Sequence, residues 1–288
     1  MAPSGNQAAN RENKRQPIVS GETGLLDSKF LSGTIVQEEE WIMDQAYWIT
    51  WYNLPDNGRD GYLAWLHGTY IPKVLERPGF LWAAHYASEE NVIPIGGGKS
   101  WVSRHVLSDT VPAGDRYILI FGGKNAHVFV NPTRHKFHAG LPQEDQKMLE
   151  LRIGERVNIM IPQATVYGPE AKRPEPDMAP SACIQLGSFN AGSYEDEEEM
   201  ADWYAQWRLP LMETVPGCVR IQKLVSVAGW AKHACFYEFT SVEARNKYAT
   251  YYERSNPEME AWSKKVVGKL IHAPNSANLA QRIWPPVK

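Results

Sequence analysis

The chain has 288 residues, 43% of them hydrophobic, which is enough for one large or two ordinary folded units. A formal net charge of −3 excludes the strong positive field expected of a protein that binds nucleic acid or an anionic membrane. No window approaches the ~18 consecutive apolar residues of a membrane span, and the polar N-terminus lacks a signal-peptide core, so a cytoplasmic location is expected.

Residues 1–43 read as an N-terminal extension, polar and without period over the first twenty positions. The run Ala46 to Tyr52 is rich in aromatic and β-branched residues and predicts a strand, ended by the turn chemistry of Pro55-Asp56-Asn57-Gly58. Leu63, Leu66, Tyr70 and Val74 recur at three- and four-residue spacing, so a helix is expected from about Asp60 to Glu76, stopped by Pro78-Gly79. Strands follow over Phe80–Tyr86 and Arg116–Phe121. Between them lies a Gly- and Pro-containing connection, 89–114, of a length that suits a binding loop or lid. Its Gly96-Gly97-Gly98-Lys99-Ser100 run lacks the upstream glycine of a phosphate loop and reads as a flexible turn. Segment 124–140 is irregular or briefly helical. A helix is predicted from Pro142 to about Ile153, and a strand over Arg156–Ile161.

A Pro-rich linker (Pro169, Pro174, Pro176, Pro180) precedes a second set. Strands are predicted at Cys183–Phe189, Val219–Val227 and Ala234–Phe239, helices at Asp196–Thr214, 242–253 and 257–267, and a last strand from Leu270. The acidic run Glu195–Glu199 suits a helix N-terminus capped by Ser193. Cys183, Cys218 and Cys235 all lie in apolar runs. Their odd number and lack of metal spacing predict buried, reduced thiols.

The two sets share more than their order. Trp65, Pro72, Pro78 and Gly79 are each followed 138 residues later by the same residue type, at Trp203, Pro210, Pro216 and Gly217. This predicts an α+β protein of two tandem β-α-β-β-α-β units, 44–170 and 171–288, whose antiparallel sheets cover each other in one barrel-like core.

The segment Tyr62-Leu63-Ala64-Trp65-Leu66-His67-Gly68-Thr69-Tyr70-Ile71-Pro72, closing on Arg77-Pro78-Gly79, resembles the first helix of the dimeric α+β barrel superfamily. The likeness is to its EthD-like and antibiotic-biosynthesis-monooxygenase-like branches. The resemblance implies a ligand held between sheet and helices. It also implies a choice among cofactor-free monooxygenases, cyclases, isomerases, dehalogenating relatives and haem enzymes, because the fold does not select the chemistry.

Six of the eight histidines lie in the first unit, and the second has Ala205 and Arg208 where the first has His67 and Tyr70. The first unit is therefore expected to hold the working pocket and the second to be structural. His67 and Tyr70 share a helix face. His67 is the expected acid or base, Tyr70 an oxyanion donor, and His85 or His105 a second proton-transfer group. Tyr47, Trp51, Leu63, Trp82, Arg104 and His127 are expected to line the substrate site, since a surplus of rings suits a flat apolar ligand.

The expected activity is proton transfer without a cofactor, as in an isomerase, cyclase or lyase, on a small aromatic or polyketide-like substrate. The alternatives are an oxygenase, cofactor-free or haem-dependent, and a non-catalytic ligand-binding or stress-response module. No metal site is expected. His127, His135 and His138 lack a nearby acid or thiol to complete a ligand set, and a haem would need one axial His. No nucleic-acid or membrane partner is expected, and a homodimer is compatible with the fold.

Overall fold

The computed structural model describes residues 46–89, 104–107, 110–172, 178–249 and 255–287. Ten strands lie among them: β1 (Ala46–Asn53), β2 (Phe80–Ser88), β3 (Arg104–His105), β4 (Tyr117–Gly123), β5 (Ile153–Tyr167), β6 (Cys183–Asn190), β7 (Cys218–Gly229), β8 (His233–Phe239), β9 (Ile271–His272) and β10 (Asn278–Trp284). Eight of them close a barrel in the order β10-β2-β4-β1-β5-β7-β8-β6, with β6 pairing back to β10. Every ladder in that ring is antiparallel. β9 and β3 extend from β6 as a short appendage.

Each half supplies four adjacent strands. In both, the spatial order is second, third, first, fourth (β2-β4-β1-β5 and β7-β8-β6-β10). The halves are sewn together at two seams, β5 to β7 and β10 to β2. The barrel therefore closes within one chain.

Strand alternation sorts the side chains into layers. Tyr47, Ile49 and Trp51 of β1 point into the barrel with Trp82, Ile118, Met160, Leu186, Leu224 and Phe236. Trp48 and Tyr52 point outward and pack beneath the first-half helix on Tyr62, Leu66, Tyr70 and Phe121. The second half repeats this outer layer with Phe189, Ile221, Cys235 and Phe239 beneath Met200, Trp203 and Tyr204. All three cysteines are free and buried.

The principal helix of each half carries one irregularity in the same place. Helix Arg59–Trp65 passes into a π-helical turn, Leu66–Tyr70, before Ile71–Leu75; helix Tyr194–Trp203 passes into Tyr204–Arg208 before Leu209–Met212. The repeated proline supplies the reason. Pro72 and Pro210 have no N–H, and their rings clash with the carbonyl four residues back. The residue before each proline reaches one step further instead, Ile71 N–H to Leu66 O and Leu209 N–H to Tyr204 O, which widens the turn. The Pro-Gly pairs also act alike, since Gly79 and Gly217 take φ of 90° and 82°, a region costly for other residues.

Three predicted elements differ. The fourth strand, expected over Arg156–Ile161, runs from Ile153 to Tyr167, because Pro162 is absorbed at a register shift between Pro162 and Ala164. The helix from Pro142 ends at Leu149. The last strand, expected from Leu270, is two pieces, with the barrel strand beginning only at Asn278. The Gly96–Ser100 run lies outside the described residues. No helix among the described residues is long and apolar enough to cross a membrane.

Candidate functional site

Between the first-half helix and its sheet the space is occupied by side chains joined by hydrogen bonds. His67 Nε2 lies 2.9 Å from His85 Nδ1, and His85 Nε2 lies 2.8 Å from the Tyr52 hydroxyl. The Trp284 ring stacks on His67 at 5.9 Å, and the Tyr52 and Tyr117 rings flank His85 at 5.9 and 5.5 Å. Burial holds both imidazoles below their ordinary pKa, and for fully buried His85 the His67 ring adds to the effect. Beside this chain Arg152 Nε donates to the Tyr62 hydroxyl at 2.7 Å, and Glu155 accepts from Arg152 and Arg134 at 2.7 and 2.5 Å. Tyr70 pairs with His138 Nε2 at 2.7 Å, and burial together with Arg152 and Arg134 lowers His138 to about 4.

In the second half the corresponding space is open. A cavity of about 390 Å³ lies between the second-half helix and the sheet. Met200, Tyr204 and Ala205 wall it on the helix side, Ala164, Lys223, Val225 and His233 on the sheet side, and Tyr194 and Glu198 where it meets solvent. Ala205 occupies the π-turn position that His67 holds in the first half, 138 residues earlier, and Lys223 occupies the strand position of His85 at the same offset. His67 fills the space over His85. A methyl group at Ala205 leaves the space over Lys223 empty.

Lys223 is 3% exposed. Its Nζ donates to His233 Nδ1 at 2.9 Å and to the Leu224 carbonyl at 3.3 Å. With Nδ1 accepting, His233 carries its proton on Nε2, which donates to Glu197 at 3.3 Å. Glu197 in turn binds Lys232 at the exposed edge. Burial pushes the Lys223 amine down to about 8, against the opposing pull of Cys235 and Glu197. Burial and then Lys223 push His233 down to about 4, so the imidazole is neutral at pH 7. The arrangement is a desolvated amine linked through a neutral imidazole to a solvent-facing carboxylate.

Of the residues expected to act, His67 and His85 are brought together, and Tyr70 is drawn aside to His138. His105 is remote, bonding the Ser276 carbonyl at 2.8 Å beside His272. Tyr47, Trp51 and Trp82 face the barrel interior, where the Tyr47 hydroxyl donates to Gln222 at 2.6 Å and the Arg156 guanidinium lies 3.9 Å over the Trp51 ring. Leu63 packs at the edge of the first-half outer layer. Arg104 is exposed and bonds the Lys269 carbonyl; His127 is exposed on a short 3₁₀ turn. No cluster of three metal-ligating residues occurs among the described residues. Lys223, His233 and Glu197 were not anticipated. A readable signal existed, since Lys223 breaks an otherwise apolar alternation with Ile221 and Val225 in the same register.

No family model and no curated sequence matches the chain. Solved structures share its fold. An anthrone oxidase-like protein is 12% identical with a TM-score of 0.53, over 84% of this chain and 92% of that one. A provisionally assigned monooxygenase from Lactobacillus acidophilus is 11% identical with a TM-score of 0.45, covering 84% and 94% of the two chains. A dye-decolorizing protein from V. cholerae is 11% identical with a TM-score of 0.45, covering 84% and 96%. The fold is thus that of the α+β barrel structures.

These likenesses correct two expectations. The anthrone oxidase-like protein is named for oxidation rather than isomerisation, cyclisation or elimination, so the proton-transfer reading is withdrawn. The expectation that no cofactor takes part is withdrawn as well, a structure described as a chlorite dismutase and the dye-decolorizing protein being among the similar structures. The cavity described here does not fit haem. An axial bond needs a ring nitrogen free to meet the iron, and both nitrogens of His233 are engaged. Those of His85 are engaged too.

Proposed function

We propose that the chain is an oxidative enzyme of the oxygenase class, and that its substrate, a small flat aromatic molecule, occupies the second-half cavity. The observation that carries this reading is the Lys223 amine, buried against the cavity and 2.9 Å from a neutral imidazole. An acidic benzylic carbon reacts with dioxygen once it has lost a proton to become a carbanion delocalised into the ring. Lys223, His233 and Glu197 form a line along which that proton reaches solvent. For a benzylic methylene the balance is CH₂ plus O₂ giving C=O plus H₂O. The apolar wall of Met200, Tyr204 and Val225 supports binding of a ring. The resemblance in fold to an anthrone oxidase-like protein accords with this choice of chemistry.

We further infer that the halves are tandem ferredoxin-like units descended from one ancestor and akin to the EthD-like branch. The shared strand order, the shared offset of 138 and the paired π-helical turns support this.

The test is an oxygen electrode with anthrone as probe. Uptake of one dioxygen per anthrone above the protein-free rate, lost in Ala205→His, is the expected result. Uptake equal to the protein-free rate would end the oxidative reading of this cavity. A Soret band in freshly purified protein that accounts for the uptake would place the oxidation at a haem held elsewhere in the chain.

A further inference from the structure

We propose that Lys223 is a carbonyl-capturing amine, and that the cavity above it takes aromatic aldehydes and ketones as reversible imines. The proposal deepens the reading above and rests on it in one respect, that the second-half cavity is the substrate site.

Three features of the site lead there. First, the amine is desolvated and has no carboxylate of its own. The nearest acid, Glu197, stands behind His233. A buried lysine without a direct counter-ion reaches its neutral form, which is the nucleophile, at a lower pH than an exposed one. Second, the hydrogen bonds count correctly for a neutral amine. Nζ has two acceptors in reach, His233 Nδ1 and the Leu224 carbonyl. A neutral amine satisfies both with its two hydrogens and keeps its lone pair for an electrophile. Third, the wall opposite is small where the other half's is large. Ala205 leaves room beside Tyr204, where His67 closes the first-half space.

The groups facing Lys223 are His233 and Cys235 from β8, with Glu197 and Tyr204 from the helix and Lys232 at the edge. Cys235 is buried, and burial pushes its thiol up. The Tyr204 and Phe189 rings, 5.5 and 5.6 Å away, attract the ammonium form and oppose the shift. The desolvation outweighs them, and the amine titrates at about 8.

The step balances without an oxidant. The Nζ lone pair adds to the carbonyl carbon. The two amine hydrogens and the carbonyl oxygen leave as one water, and C=N replaces C=O. His233 Nδ1, already bonded to the amine, takes the first proton and returns it to the departing oxygen, while Glu197 holds Nε2–H. Once the imine has formed, Nδ1 has lost its donor and becomes free to accept a proton from the carbon beside the C=N group. An enolisable aromatic ketone would meet its base at that point.

The experiment is reductive trapping on the full chain, with 4-hydroxybenzaldehyde and sodium cyanoborohydride, read by intact mass and peptide mapping. The expected result is one adduct, on Lys223, formed about tenfold or more faster at pH 7.5 than on the other lysines. Its rate should reach half its maximum near the amine's value of about 8. Lys223→Met should remove it. If that variant does not fold, Ala205→His serves, because it leaves the amine in place and closes the space; labelling should fall to the surface-lysine rate. Adducts spread over surface lysines with Lys223 unmodified overturn the proposal, as does labelling of Lys223 that is indifferent to Ala205→His. Oxygen uptake with anthrone is measured on the same preparation. Uptake without the Lys223 adduct removes the imine and leaves the oxidative reading standing; the adduct without uptake does the reverse.

Discussion

The two halves carry an equivalent helix, the same π-helical turn and the same strand order, yet in one the π turn is tied to the strand below it and in the other a cavity lies there. The difference reduces to a few side chains. At the π turn the first half has His67 and the second Ala205; on the second strand of each half stand His85 and Lys223. In the first half the imidazole of His67 reaches down to His85 and is covered by Trp284. In the second, the alanine reaches nothing, and the lysine below must be satisfied by its own strand neighbours. A polar residue under a helix can be silenced by a partner on that helix or left open to a ligand, and this chain contains both solutions.

That contrast can be broken from either side. The largest effect is expected from Lys223→Met, which removes the amine from the open half. Oxygen uptake with anthrone should fall by ~10²–10⁴; unchanged uptake would separate the amine from the reaction. Next comes Ala205→His, which gives the second half the first half's plug. Binding of anthrone, followed by tryptophan fluorescence, should weaken about tenfold or more, worth ~1.4 kcal/mol, with the melting temperature close to that of the parent. Undiminished affinity would show that the ligand sits elsewhere.

The mirror change is His67→Ala. It strips a partner from His85 Nδ1, fully buried in the first half, at a cost of about 1–3 kcal/mol in urea unfolding. It should also create a second binding site for aromatics, which a titration would reveal as doubled stoichiometry. A stable variant with one site only would mean that the surrounding rings collapse into the gap. The smallest and broadest effect concerns pH. His85, His138, His233 and His272 are all held below the ordinary value, chiefly by burial. Their unfolded counterparts take up protons near pH ~6.5, before the folded protein does. Stability is therefore complete above that pH and declines as pH falls toward about 4, where His138, His233 and His272 titrate in the fold. Melting temperatures that stay level from pH 7 to 5 would contradict this.

Much of the scaffold was legible in the residues. The offset between Trp65 and Trp203 and between Pro72 and Pro210 located both principal helices, and the aromatic, β-branched run Ala46–Tyr52 located β1. What a proline does to the turn before it was not read. The π-helical turns follow from Pro72 and Pro210, but widening a helix changes no residue's polarity and leaves no trace in the periodicity. The cavity escaped for a different reason. The histidines concentrate in the first half, where all six lie among residues that are hydrogen-bonded or stand on the surface. A void is produced by what is missing, here the side chain that Ala205 does not have. An alanine on a helix is the least conspicuous residue there is. Lys223 was the visible half of the signal.

The seams of the barrel have a mechanical consequence. Cutting the chain between β5 and β6 would leave two arcs of a hoop, each with bare margins at both ends, β2 and β5 on one, β7 and β10 on the other. Such margins are templates for indiscriminate pairing. Neither arc should persist alone in solution, whereas the two made together should snap into the uncut ring, with each margin finding the one it meets in the intact chain.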